Sequence, residues 1–184
     1  MAALMFTDIV GYSSLSSTDE KLAFELLEEH RVILRGLLPR YGGIENKTIG
    51  DAFMGASGLL ELSECPVACC VELGLQMIRF TQQLCDAKQI PLGFNLRVGV
   101  NFGPVVGGML GRRQALYDLW GDTVNTAARL ESHGHPGCVN LSDLAWREVA
   151  HLYQGEARSE CHLKGKSAPL EVIHLNPASV TRRR

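Results

Sequence analysis

Two carboxylates punctuate apolar runs in this chain, Asp8 in MFTDIVGYS and Asp51 in NKTIGDAFMGASG. Hard cations such as Mg²⁺ bind through one or two carboxylates together with substrate phosphates. Two such ions can activate an attacking oxygen and stabilise charge on the phosphates. Taken singly, each aspartate reads as a strand terminator beside a glycine. A third segment, YDLWGDTVNTAARLES, changes the balance by adding Asp118, Asn125 and Arg129. Asn125 and Arg129 are four residues apart in a stretch with helical character, so they share a face and can act on one ligand. On its own, Arg129 would be a surface salt-bridge partner. Gly11 and Tyr12 follow Asp8 where the chain turns into a helix, and backbone N–H groups at such a start can hold triphosphate oxygens. No GxxxxGK[ST] segment is present, so this is not a P-loop.

These residues need elements to hold them. An apolar strand is expected over residues 3–10. Ser17-Thr18-Asp19-Glu20 reads as a capping box, with Leu22, Leu26, Leu27, Ile33 and Leu34 at helical spacing as far as about Leu38. Pro39 and Gly42-Gly43 stop that helix. Residues 44–48 and 52–56 form a hairpin turning at Ile49-Gly50, and Pro66 opens a second long helix ending near Leu84, with Val67, Val71, Leu75 and Ile78 on one side. A strand over 94–100 leads into NFGPVVGGMLG, read as a glycine-rich crossing. A short strand over 116–120, with Trp120 expected in the core, precedes a helix over 123–131. His133 and His135 flank a glycine turn and should be exposed. A strand over 138–141 is followed by a helix capped by Ser142 and reaching His151. The tail gives a hairpin of 160–163 with 170–174 across Lys164-Gly165-Lys166. Mixed strand and helix order with hairpins argues for an α+β sheet, mainly antiparallel, rather than a doubly wound one.

Bulk properties narrow the class. A chain of 184 residues fits one domain, 1–184, large enough for a real core. A net charge of −2 gives no pull toward nucleic acid or an anionic membrane. The six cysteines include no CxxC pair, which disfavours structural zinc and favours small apolar packing. Reduced thiols and the lack of a signal peptide point to the cytoplasm, although a full-length protein could be membrane-tethered. The opening directly into a strand suggests a catalytic part of a longer protein with an upstream regulatory domain.

From Phe6 to about Leu175 the chain resembles the class III adenylyl/guanylyl cyclase catalytic domain. The resemblance implies a ferredoxin-like core with an added C-terminal β-hairpin, and conversion of a nucleoside triphosphate to its 3′,5′-cyclic monophosphate and pyrophosphate. It further implies that Asp8, Asp51 and the Ile9 carbonyl hold two Mg²⁺ or Mn²⁺ ions. Lys47 and Asp118 recognise the base, Asn125 orients the ribose, and Arg129 stabilises the α-phosphate. Arg113 and Lys164 contact the terminal phosphates, with Lys166 close enough to compete. Family sites are shared across a head-to-tail dimer, and this chain carries both sets of residues, so a homodimer with two equivalent sites is implied.

Base chemistry then favours ATP. A lysine only donates and a carboxylate only accepts, which matches adenine N1 and its N6 amine and mismatches guanine. Family guanylyl cyclases commonly carry a glutamate and a cysteine at these positions. The competing expectations are a guanylyl cyclase and a catalytically silent, nucleotide-binding or dimerising module. A diguanylate cyclase would show a GGDEF-type segment, and none is present.

Overall fold

The first strand is covered on both faces, and that decides where the rest of the chain goes. The computed structural model describes residues 1–59, 64–90, 94–110, 116–162 and 168–183. Strand β1 (Ala2–Val10) sends Ala3, Met5 and Ile9 into one core and Ala2 and Leu4 into another. Its alternation is therefore apolar on both sides, as expected of a central strand.

A short helix α1 (Tyr12–Thr18) and a longer α2 (Glu20–Leu37) follow, with a single 3₁₀ turn at Leu38–Tyr41. The hairpin of β2 (Gly43–Ile49) and β3 (Ala52–Ser57) leads to α3 (Pro66–Lys88) and β4 (Asn95–Gly103). A two-stranded sheet of β5 (Val106–Leu110) and β6 (Leu116–Trp120) precedes α4 (Asp122–Ser132), β7 (Val139–Ser142) and α5 (Asp143–Val149). The chain ends with β8 (Tyr153–Gln154), β9 (Ala157–Cys161), β10 (Leu170–Leu175) and β11 (Thr181–Arg182). The main sheet has the order β2-β3-β1-β4-β7-β10-β9, antiparallel except where β4 meets β7. Its first part is a βαββαβ unit, the ferredoxin-like arrangement, extended by the β9–β10 hairpin. This is the α+β class expected.

Helices α2, α3 and α5 cover one face through Leu27, Leu34, Val71, Ile78 and Trp146. Helix α4 covers the other, with Ala127 against Leu4 and Met54. It lies very close: a Cβ on Gly99 of β4 would overlap the backbone nitrogen of Glu131 and the carbonyl of Ala127. No helix among the described residues is long and apolar enough to cross a membrane.

Four local expectations are corrected. The helix foreseen after Ser17 forms as α2, but Ser17 does not cap it: the hydroxyls of Ser17 and Thr18 bond back to Ser13 O and Ser14 O within the separate helix α1. Asp19 becomes the cap instead, its Oδ1 accepting from Leu22 N at 3.0 Å. The glycine-rich crossing contains strand β5, whose Gly107 and Gly108 leave room for Tyr117 and Trp120 of β6 to lie across it. Trp120 is not a core residue, being 37% exposed. Helix α3 runs past Leu84 to Lys88, where Gln89 adopts a left-handed φ of 52° and stops it. The Ser142 cap forms as expected, accepting from Ala145 N at 3.1 Å. The turn of the tail hairpin, Lys164-Gly165-Lys166, lies outside the described residues.

Gly99→Ala should lower stability by about 1–3 kcal/mol, the usual cost of overpacking a close contact, and loosen α4. A urea-denaturation midpoint equal to that of the native chain would contradict this seating of α4 on β4.

Candidate active site

The sheet brings the two aspartates together. Asp8 is near the end of β1, on the α4 side, and Asp51 stands in the tight turn after Gly50, whose φ is 61°. Because β3 pairs with β1, Thr7 opposite Phe53, the turn is carried to Asp8. Burial raises the Asp51 carboxyl above the usual range, and the charge of Asp8 and a hydrogen bond to it push the same way, while the backbone N–H groups of Asp51 and Ile9 oppose.

Arg97 lies directly across from Asp8 in the β1–β4 ladder. Its Nη2 donates to Asp8 Oδ2 at 3.2 Å and its Nε to Glu131 Oε1 at 2.8 Å. Burial raises the Glu131 carboxyl as well; Arg97 opposes that rise, and Asp8 and Asp51 add to it. Asp8 and Glu131 thus share one guanidinium, and Asp51 adds a third carboxylate close enough to act on both. The surplus negative charge and the oxygen donors of Asp8 and Asp51 fit a divalent hard cation completed by water and phosphate. Ile9 buries its side chain in the core, and its backbone runs beside Asp51. Gly11 adopts a left-handed φ of 88° as the N-cap of α1 and offers no side chain to its first turn, where Tyr12 begins.

A second cluster forms where β2 runs past β6. Lys47 Nζ donates to both Asp118 oxygens, at 2.9 and 2.8 Å, and Asn46 Nδ2 donates to Oδ1 at 3.1 Å. The Leu119 N–H adds a bond to Oδ1 at 2.8 Å. The hydrogen bond from Lys47, chiefly, holds the Asp118 carboxyl below the usual range.

Asn125 and Arg129 lie one turn apart on α4. Asn125 is exposed and Arg129 half-buried. Among the described residues, neither side chain has a hydrogen-bond or ion-pair partner. No such bond joins the Asp8 cluster to the Lys47 cluster either. Arg113, Lys164 and Lys166 lie outside the described residues. His133 and His135 are exposed as expected, and His135 stacks on His174 with ring centroids 4.1 Å apart.

The family model for the adenylate and guanylate cyclase catalytic domain matches residues 1–176. The chain belongs to this family. Human retinal guanylyl cyclase 1 is 34% identical over 172 residues, covering 90% of this chain and 15% of that protein. An adenylate cyclase of Mycobacterium bovis is 31% identical over 166 residues, covering 90% of this chain and 37% of that protein. The chain therefore spans well under half the length of either relative. The guanylate cyclase domain of RhGC from Catenaria anguillulae, solved in complex with GTP, has a TM-score of 0.85 at 26% identity, over 100% of this chain and 97% of that one.

This cyclase domain also draws three residues into the two clusters that the sequence reading passed over. Arg97 was signalled by a lone charge inside the apolar LRVGV strand, and Glu131 by its place two residues after Arg129. Asn46 carried no comparable signal, because its contact with Asp118 accompanies a pairing irregularity between β2 and β3.

The Asp51 carboxyl has a folded-state pKa above its unfolded value, so its ionisation opposes folding. Its contribution to stability is full below the unfolded pKa and is lost as pH rises through the folded one. Uncharged Asp51→Asn should therefore melt above the native chain in metal-free buffer near neutral pH. That gain should vanish as pH falls through the carboxylate range. Identical melting temperatures at every pH would contradict this raising of the Asp51 carboxyl by burial and by Asp8.

Proposed function

We propose that this chain is the catalytic domain of an adenylyl cyclase, converting ATP to 3′,5′-cyclic AMP and pyrophosphate. The relatives include both guanylyl and adenylate cyclases, so the base pocket has to decide the substrate. The observation that carries the reading is the Lys47–Asp118 pair, at 2.8 Å. It places an obligate donor beside an obligate acceptor. Lys47 turned toward adenine N1 and Asp118 accepting from the N6 amine satisfy both groups. Guanine held in the same orientation would set its N1–H against the Lys47 ammonium and its O6 against the Asp118 carboxylate, opposing both.

The other residues take roles consistent with their places. Asp8, Asp51 and the Ile9 carbonyl would hold Mg²⁺ or Mn²⁺, two ions per site. When bound, these ions make the ribose 3′-oxygen a better nucleophile and neutralise charge on the phosphates. The first-turn N–H groups of α1, after Gly11 and Tyr12, receive phosphate oxygens. Asn125 orients the ribose so that its 3′-oxygen faces the α-phosphorus. The 3′-hydroxyl gives up its proton to solvent, the new O–P bond forms as the bond to the pyrophosphate oxygen breaks, and Arg129 stabilises the charge gathering on the α-phosphoryl oxygens. Arg113 and Lys164 are assigned to the terminal phosphates. Arg97 steadies Asp8 from across the ladder.

A homodimer with two equivalent sites completes the proposal. One protomer gives Asp8, Ile9, Asp51 and Arg113, and its partner gives Lys47, Asp118, Asn125, Arg129 and Lys164. Among the described residues no hydrogen bond or ion pair joins the two clusters, which is in keeping with this division. So is the exposed apolar surface of Val106, Met109, Tyr117 and Trp120 on β5 and β6, the kind of patch that marks a contact surface.

The native chain should form cyclic AMP from ATP in clear preference to cyclic GMP from GTP. Lys47→Glu with Asp118→Cys should reduce ATP use by at least roughly tenfold, since each unpaired polar group costs about 1–3 kcal/mol, and should admit GTP. The measurement is kcat/KM for both nucleotides with either metal. An unchanged ATP-to-GTP ratio in a folded double variant would sink the base assignment.

A further inference from the structure

Asn46 occupies a place that a regular strand would not give it. Strands β2 and β3 pair as far as Glu45 opposite Gly55 and resume at Lys47 opposite Met54, so Asn46 is the extra residue of a bulge. Successive side chains of a regular strand point to opposite faces. A bulge can re-aim one of them. Here Asn46 and Lys47, adjacent in sequence, both reach the same carboxylate.

The two oxygens of that carboxylate are used unequally. Oδ1 of Asp118 accepts from Asn46 Nδ2 at 3.1 Å, Lys47 Nζ at 2.9 Å and Leu119 N at 2.8 Å. Oδ2 accepts from Lys47 Nζ at 2.8 Å and, among the described residues, from nothing else. The Asn46 amide also rests 3.4 Å from the Sδ of buried Met54, which fixes it from the core side. For Lys47 to donate to a purine ring nitrogen, it must turn away from Asp118. Oδ2 is then the vacated acceptor, and Oδ1 keeps two neutral donors. Without Asn46, a single backbone N–H would hold a carboxylate whose terminal torsion is broad and roughly two-fold.

Resting on the adenine reading above, we propose that Asn46 is a positioning residue that sets base specificity. It holds Oδ1 of Asp118 so that Oδ2 faces the exocyclic amine of a 6-aminopurine nucleotide. Being neutral, its amide does this without competing with Lys47 for the charge interaction. A site built to hydrogen-bond a substrate N–H discriminates against an analogue that lacks it, because its own polar group is then left unpaired.

The test compares cyclisation of ATP with that of purine riboside triphosphate, which has hydrogen in place of the 6-amine, by kcat/KM. The native chain should favour ATP. Asn46→Leu, similar in size and without a donor, should cut that preference about tenfold, the scale of one hydrogen bond to a charged group, by lowering ATP use alone. Asn46→Asp keeps the shape, sets an acceptor against an acceptor, and should cut it further; it also serves if the leucine variant does not fold. A native preference retained in the folded variants, or a loss shared equally by the two nucleotides, overturns the role of Asn46 and leaves the adenine reading standing. A native chain indifferent to the amine overturns the adenine reading and this inference with it.

Discussion

A strand covered on both faces has little tolerance for an unpaired charge, and β1 carries Asp8. The arrangement around it follows from that constraint. Arg97 stands directly across the ladder, where cross-strand neighbours of opposite charge are mutually stabilising. Glu131 on α4 then takes the other edge of the guanidinium. That contact is possible because α4 lies tight on Gly99, without a Cβ between helix and strand. The same helix presents Asn125 and Arg129, so the pairing of one half-buried carboxylate is tied to the seating of the residues assigned to ribose and phosphate.

The chain distributes its charge in two different ways. Lys47 and Asp118 neutralise one another, and in the proposed role they separate to read a base. Asp8 and Asp51 do the opposite: two carboxyls are brought together, the Asp51 group held above its usual range chiefly by burial and further by Asp8, while Arg97 pairs with Asp8. Such local conflict is common where a fold gives up stability for binding. Each cluster is complete in itself and unconnected to the other by any hydrogen bond or ion pair among the described residues.

Much of this was legible in sequence because periodicity and punctuation speak directly to local structure. The apolar run of β1, the β2–β3 hairpin, Pro66 at the start of α3 and the Ser142 cap all follow from side-chain chemistry near each residue. The meeting of Asp8 and Asp51 needed one further step, that β1 pair beside the hairpin, and it does. What escaped depends on register or on competition. Ser17 and Thr18 look like caps until their hydroxyls turn back to the preceding turn and leave Asp19 the task. Gly107 and Gly108 weaken the signal for β5, yet they are what admits the aromatic side chains of β6. The bulge at Asn46 has no counterpart in composition.

The claim that each chain holds two half-sites is tested most directly by mixing two inactive variants. Asp51→Ala removes a proposed metal ligand from one half, and Arg129→Ala removes the proposed phosphate contact from the other. Cyclic AMP formation is measured for each variant alone and for mixtures at increasing total protein. Each should be nearly inactive alone, and activity should reappear on mixing, because a heterodimer places both defects in one site and leaves the other intact. Recovery should rise with concentration, as for any site that exists only in the dimer. No recovery at any ratio from folded, exchanging variants would contradict the shared site and require each chain to hold a complete one.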